Sequence, residues 1–462
     1  MFDTVLVANR GEIALRVVRT CREMGIRTVV VHSTADRDSA AVRAADDAVQ
    51  IGPPAPRRSY LSVPAVVEAA LAKGADAVHP GYGFLSEDPD FAEVCAENGL
   101  VFIGPPAEVM ARVGDKAAAR AEMAACGLPM LPGSAGTVDS IADAADLADR
   151  IGYPLIIKAV AGGGGRGMTV VRQRRDLIGA YRATRSTAQA VFGDGRVYLE
   201  RYCDRARHVE VQIVADRFGN VQHLGERDCS VQRRHQKLVE EAPAPNLSES
   251  LRAEMAAAAV AGARGVGYVG AGTFEFVVSD DRFYFMEINC RIQVEHPVTE
   301  MVTGVDLVRE QIRVAAGLPL SQRQTDLATR GVSLECRVNA EDPERGFVPT
   351  AGLLDEFLPP AGPFTRVDTH AFPGWRVTSD YDSLLAKVVV WAPDREQAIA
   401  RMDRALAEFR VGGRGIRTTV PVLRQVLAEP RFAAGEHDTA LIAHLRRPSA
   451  AVSAAPPDEE TT

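Results

Sequence analysis

The chain has 462 residues, more than one ordinary hydrophobic core accommodates, so two or more domains are expected. Its 46% hydrophobic and 25% charged residues are those of a soluble globular protein, and no apolar run is long enough to span a bilayer. A net charge of −8 argues against a nucleic-acid binder that works through its bulk field.

Residues 2–8 read as an apolar strand, with no secretory n-region before it. Asn9-Arg10-Gly11-Glu12 is a loop, and Ile13 to Met24 has helical periodicity. Arg27 to His32, Ala75 to His79 and Val101 to Ile103 are further strands, the second ending in the loop Pro80-Gly-Tyr-Gly-Phe-Leu-Ser86. Strands alternating with helices predict a parallel sheet covered on both faces. No G-x-G-x-x-G follows the first strand, so a dinucleotide site has little support there. The seven cysteines include no CxxC pair and read as reduced thiols in the cytoplasm. Cys229 and Cys290 read as small buried residues rather than nucleophiles.

Around residues 114–135 a helix leads into a linker marked by Pro129, Pro132, Gly133 and Gly136. Pro154 to Lys158 is a strand, followed by Gly162-Gly163-Gly164-Gly165-Arg166-Gly167 and the strand Thr169-Val-Val. Such a glycine run either lets backbone amides approach a phosphate or simply makes a loose turn; Lys158 just upstream favours the phosphate. Arg172, Arg174 and Arg175 read as a solvated face. Val197 to Tyr202 and His208 to Ala215 continue the strands. Arg227 to Lys237 is a dense polar cluster, followed by Glu240-Glu241-Ala-Pro; its strand and proline borders make a merely solvated face less natural. An Ala-rich helix spans 247–264. Beyond residue 330 come the strand Val332 to Asn339, a turn-rich β segment, the strand Lys387 to Trp391, a helix at 394–409 and helical pattern to about 446. Pro448 to Thr462 reads as disordered.

The densest chemistry lies at 272–297. Gly272 to Val278 and Arg282 to Ile288 read as two strands, with Ser279-Asp280-Asp281 as turn signal. With Asp280, Asp281 and Arg282 as the loop, Glu275 and Glu287 face each other across the hairpin. Like charges directly opposite are destabilising in a sheet, so the pair suggests a cation. With the amide oxygen of Asn289 the set suits a hard ion such as Mg²⁺. The alternative is a solvated strand face bearing two ordinary acids. Arg291, Gln293 and Glu295 alternate, so an extended segment projects an anion holder, a hydrogen-bonder and a base to one side.

These motifs, in this order, resemble the biotin carboxylase family of the ATP-grasp superfamily, from Phe2 to about residue 446. The resemblance rests on Ala8-Asn-Arg-Gly-Glu-Ile-Ala, His79-Pro-Gly-Tyr-Gly-Phe-Leu-Ser-Glu, Gly162-Gly-Gly-Gly-Arg-Gly-Met, Glu226-Arg-Asp-Cys-Ser-Val-Gln-Arg-Arg-His-Gln-Lys and Arg291-Ile-Gln-Val-Glu-His-Pro-Val-Thr-Glu. It implies an α/β and α+β multidomain fold. A Rossmann-like N-terminal domain would cover 1–113, a linker 114–131, an ATP-grasp lid 132–203, and the ATP-grasp core with the C-terminal domain 204–446, leaving 447–462 as a disordered tail.

The resemblance also implies roles. Lys116, Lys158 and His208 would bind nucleotide and phosphate, and Gly163, Gly164, Gly165, Arg166 and Gly167 would close over the phosphates. Glu200 and Arg201 would lie beside the adenine, and Gln232 and His235 in the ATP site. Glu275, Glu287 and Asn289 would hold Mg²⁺ or Mn²⁺. Lys237, Arg291, Gln293, Val294 and Glu295 would form the bicarbonate pocket, with Glu295 as base, and Arg337 would stabilise the biotin enolate. The implied partners are a biotin carboxyl carrier protein and a carboxyltransferase, in a cytoplasmic homodimer serving an acyl-CoA carboxylase, acetyl-CoA foremost, with no membrane or nucleic acid involved. Neither Lys237 nor Lys387 sits in an Ala-Met-Lys-Met-like context, so the biotin is expected on a separate chain. Cys290, Arg201, Val348-Pro-Thr350 and Thr419 depart from the family pattern without removing a charged group from this chemistry. The rival expectations are another ATP-grasp carboxylate ligase and a non-catalytic nucleotide-binding subunit.

Overall fold

The first strands, Thr4–Val7 and Arg27–Ser33, are short runs rich in β-branched residues, buried almost throughout. Runs of that kind suit a sheet covered on both faces. In the computed structural model, which describes residues 1–134, 136–161 and 167–445, they join a five-stranded parallel sheet. Its order is Asp47–Gly52, Arg27–Ser33, Thr4–Val7, Ala77–His79, Val101–Phe102. The strand order reverses between Thr4–Val7 and Ala77–His79. Ligands of open α/β sheets bind at such a switch point, beyond the carboxyl ends of the strands. Both N-terminal motifs lie in the loops that leave those ends. Asn9 Nδ2 donates to Pro80 O at 2.7 Å and Tyr82 O at 2.8 Å, tying the loops together. Gly81, at φ +64°, allows this: a Cβ there would stand 2.9 Å from Asn9 Nδ2.

A small antiparallel sheet follows, Met168–Val171, Leu155–Ala159 and Val197–Arg201, backed by the helices Ile141–Ile151 and Leu177–Phe192. Leu155, Ile157, Val197 and Leu199 pack against the helices. Strand alternation therefore leaves Lys158, Tyr198 and Glu200 on the other face. The helix expected after residue 114 is Lys116–Ala125, capped by Asp115.

An eight-stranded antiparallel sheet forms the rest of the frame. Its order is Arg282–Asn289, Gly270–Ser279, Arg207–Ala215, Val221–Arg233, Gln236–Ala242, Val332–Asn339, Leu384–Ala392, Thr365–Thr369. One face is apolar. Val209, Val211, Phe274 and Phe276 pack toward the helix Glu249–Gly265, and Leu334, Cys336, Ala386 and Val388 toward Arg395–Glu408. The other face carries His208, Glu210, Glu275, Glu335, Arg337 and Lys387. The helix His296–Thr303 lies across that polar face.

The hairpin prediction holds by a different route. Only Asp280 and Asp281, both at positive φ, form the turn, as in tight two-residue hairpins, and Arg282 pairs with Ser279. That register alone would set Glu275 opposite residue 286. A bulge between Glu275 and Phe276 restores the pairing of Glu275 with Glu287. Residues 291–295 are not extended as expected but run through bends and a turn into the helix at His296. Arg172, Arg174 and Arg175 are exposed, as the sequence suggests. Residues 162–166 and the expected disordered tail lie outside the described residues.

Candidate active site

Lys237 is the centre of the polar face. It follows a hairpin turn at Arg234 and His235, both at positive φ, and its chain reaches inward to three carboxylates. Nζ lies 2.6 Å from Glu210 Oε2, 2.6 Å from Glu295 Oε1 and 3.2 Å from Glu275 Oε1. Burial alone would lower the ammonium pKa; Cys229 and the three carboxylates outweigh it and hold the ammonium well above the ordinary range. Glu275 also meets His208 Nε2 at 2.9 Å, which raises the imidazole despite its burial. The same balance, with Lys237 the largest favourable charge, holds both Glu275 and Glu295 below the usual carboxylate range.

Glu295 accepts from Arg337 Nη2 at 2.9 Å as well as from Lys237. Arg337 projects from the strand Val332–Asn339, and its Nε stands 2.6 Å from Glu240. Thr419, one of the departures, donates to Arg337 O and accepts from Asn339 N, each at 3.0 Å, so it anchors the end of that strand. Gln293 is held at both ends of its amide: Oε1 accepts from Arg227 at 2.8 Å and Nε2 donates to Glu275 at 2.7 Å. Val294 O accepts from the buried Lys387 at 2.8 Å. Arg291 stands at the edge, bonded to Glu87 at 2.9 Å and to Asn289 Oδ1 at 3.1 Å.

The residues expected to hold a metal offer oxygen donors that fit a hard cation. Glu275, Glu287 and Asn289 project from paired strands, and each carboxylate already faces a cation: Glu275 faces Lys237 and His208, and Glu287 faces Lys116 at 2.9 Å. Asn289 turns its amide nitrogen to Glu275 at 2.8 Å. Oxygen donors of this kind, shared with substrate phosphates, suit Mg²⁺.

Of the remaining predicted residues, Lys158, Glu200 and Arg201 lie on the small sheet and Gln232 and His235 on the hairpin that carries Lys237. Lys158 pairs with buried Glu200 at 2.5 Å, and Arg120 pairs with the same carboxylate. Arg201 turns away, donating to Ile151 O at 2.9 Å. Gln232 is buried beside His208, whereas His235 is exposed at its turn. Gly163, Gly164, Gly165 and Arg166 lie outside the described residues. Gly167, at φ +76°, accepts from Ala159 N and closes the hairpin base.

Several polar residues of this face were not singled out from the sequence. Arg227, wholly buried, bonds Glu210, Gln212, Thr273, Gln293 and Thr299. The alternation His208, Glu210, Gln212 in an otherwise apolar strand was the signal for Glu210 and its partner. Tyr82 donates to Glu12, which also pairs with Lys387 at 2.9 Å; only tertiary contact reveals that link. Cys229 and Cys290 are buried, as expected.

The chain is similar to known proteins along almost its whole length. Residues 1–110 match the biotin carboxylase N-terminal domain, 115–323 the ATP-binding domain of the carbamoyl-phosphate synthase L chain, and 335–444 the biotin carboxylase C-terminal domain. The chain is 50% identical to a biotin carboxylase of Nostoc sp. over 447 residues, 96% of this chain and 100% of that one. It is 48% identical to a pyruvate carboxylase subunit of Methanothermobacter thermautotrophicus, covering 97% of this chain and 91% of that one. The crystal structure of the biotin carboxylase domain dimer of Hydrogenobacter thermophilus 2-oxoglutarate carboxylase, in complex with MgADP, ADP and bicarbonate, superposes with a TM-score of 0.92. It is 44% identical, and the match covers 96% of this chain and 98% of that one. With near-half identity along almost its whole length, the chain belongs to the biotin carboxylase family.

Proposed function

We propose that this chain carboxylates biotin on a separate carrier protein, using ATP and bicarbonate, as the biotin carboxylase component of an acyl-CoA carboxylase. The observation that carries this reading is Lys237 held among Glu210, Glu275 and Glu295, with Arg337 on the far side of Glu295. That is a cationic seat for a small anion beside an ionised carboxylate.

Lys237 and Arg291 hold bicarbonate, and Gln293 and Val294 shape its pocket. As Lys237 turns from Glu295 to the anion, the carboxylate loses its strongest cationic partner and its proton affinity rises. Glu295 then takes the bicarbonate proton, a contribution of about 10²–10⁴-fold for a general base. The oxyanion attacks the γ-phosphate, giving carboxyphosphate and ADP. Lys116, Lys158 and His208 bind the phosphates, and Glu200, Arg201, Gln232 and His235 lie toward the nucleotide. Glu275, Glu287 and Asn289 would hold Mg²⁺, which supplies charge neutralisation at the phosphate oxygens. Carboxyphosphate breaks to CO₂ and phosphate, and that phosphate takes the N1′ proton of biotin. Arg337 stabilises the enolate that captures CO₂. The unit at 132–203 acts as lid over this labile intermediate.

Acetyl-CoA is the proposed acceptor of the assembled enzyme, the chain working as a cytoplasmic homodimer; the dimeric solved relative supports the latter. ATP cleavage with and without bicarbonate and free biotin tests the activity. Stimulation by both is expected; hydrolysis indifferent to both would overturn it. A streptavidin blot of the purified chain is expected to be negative. The carboxyltransferase that copurifies decides between acetyl-CoA and another acceptor such as pyruvate.

A further inference from the structure

A second acidic pair lies behind Arg337 and takes part in none of these steps. Glu240 and Glu335 are directly opposed in antiparallel register on the strands Gln236–Ala242 and Val332–Asn339, and both are 0% exposed. Two ionised carboxylates at such a position repel each other, and a dry interior allows both charges only where each has its own cation. Glu240 has one: Arg337 Nε at 2.6 Å. No oxygen of either carboxylate has a hydrogen-bond partner of good geometry among the described residues, and Glu335 has no ion pair among them either. The cation that acts most strongly on Glu335, Lys387, is committed to Glu12 at 2.9 Å and Val294 O at 2.8 Å.

We propose that Glu240 and Glu335 are a positioning pair for Arg337, sharing one proton that resides on Glu335, so that a single negative charge anchors the guanidinium Nε. The outer edge of Arg337 is then free to face Glu295 and the entering ring. The inference rests on the biotin-directed role given to Arg337 above. Burial supports the shared proton by pushing both carboxyls up, Glu335 further than Glu240. Around Glu240, Arg337 and Lys237 oppose the rise and Glu295 adds to it. Around Glu335, Lys387 and Arg337 oppose it, while Glu240 and Glu295 add to it. The two groups titrate as a unit.

The sign of the pH dependence follows. Unfolded glutamates lose their proton near about pH 4.3. Above that, the native pair still holds its proton, so the native state binds more protons and stability falls as pH rises toward the folded pKa. Ionisation of the pair also sets a second negative charge beside Arg337 and weakens its hold on the biotin enolate.

The test begins with wild-type protein and free biotin. No biotin carboxylation at all would remove the proposed function itself, separately from the pair. Given activity, Glu240→Gln is expected to lower kcat/KM for biotin by about 10–100-fold, the range for residues that orient a functional group. The loss in bicarbonate-dependent ATP cleavage without biotin should be smaller, and Glu240→Asp should recover part of it. Equal losses in both partial reactions would overturn the positioning role. Should Glu240→Gln not fold, Glu335→Gln carries the test, since its amide mimics the protonated acid. Its thermal stability relative to wild type should improve from about pH 5 to about pH 8, and its biotin carboxylation should fall less steeply on the alkaline limb. The infrared band of a buried protonated carboxyl should vanish in it. A pH-independent stability gap, or a band that persists, would overturn the shared proton.

Discussion

The parallel N-terminal sheet and the eight-stranded antiparallel sheet serve the same site in opposite ways. The parallel sheet is largely apolar on both faces and reaches the site from beyond its strand ends, through Glu12 in the first turn of the helix Gly11–Glu23 and the loop residues Tyr82 and Glu87. The antiparallel sheet buries only one face in hydrocarbon. Its other face carries the charges on the strands themselves, at spacings fixed by the pleat. Loop-borne groups can move with a ligand; strand-borne groups are preorganised and must be neutralised in place. Hence each carboxylate around Lys237 has a second basic partner: Glu210 has Arg227, Glu275 has His208, and Glu295, at the turn before His296, has Arg337.

The sharpest way to separate the regions is to remove charge from each. Glu295→Gln should cut bicarbonate-dependent ATP cleavage by about 10²–10⁴-fold while ATP still binds. Near-normal turnover would move the base to another residue. Arg227→Met should cost about 3–5 kcal/mol of stability, because Glu210 is left buried with one cation instead of two and Gln293 loses its anchor. Chemical denaturation measures this; a cost below that of an ordinary surface change would mean that the polar face is wetter than its burial indicates.

Glu275→Gln and Glu287→Gln should each raise the Mg²⁺ concentration for half-maximal turnover by about tenfold or more. Unchanged Mg²⁺ dependence in both would remove the metal assignment. The smallest effect is expected on the loop side. Tyr82→Phe deletes one donor to Glu12, which keeps Lys387, so the loss should be about 1 kcal/mol. If Tyr82→Phe proved as costly as Arg227→Met, the contrast between loop-borne and strand-borne groups would collapse.

Much of the frame is legible in short patterns. The alternation of strands and helices up to Val101 announces a parallel sheet, and the two N-terminal motifs fall at its switch point because the strands they follow are neighbours. The hairpin was legible in outcome but not in detail. Asp280-Asp281 supports a two-residue turn, yet no local pattern marks the bulge between Glu275 and Phe276. The segment from Arg291 to Glu295 misled for a related reason. Alternating polar residues suggest a strand, but with no neighbouring strand beyond Asn289 the segment turns into the helix at His296.

By itself, then, the sequence determined the order of elements and the apolar and polar faces of the strands, because those properties are local and periodic. Tertiary structure alone decided which charges meet. Arg227 reads as one more member of a polar run until the sheet closes around it and buries it among five partners. Glu240 and Glu335 lie far apart along the chain, and only strand register sets them opposite each other. Charge pairing acts through space over a few ångströms, and separation along the chain does not encode it.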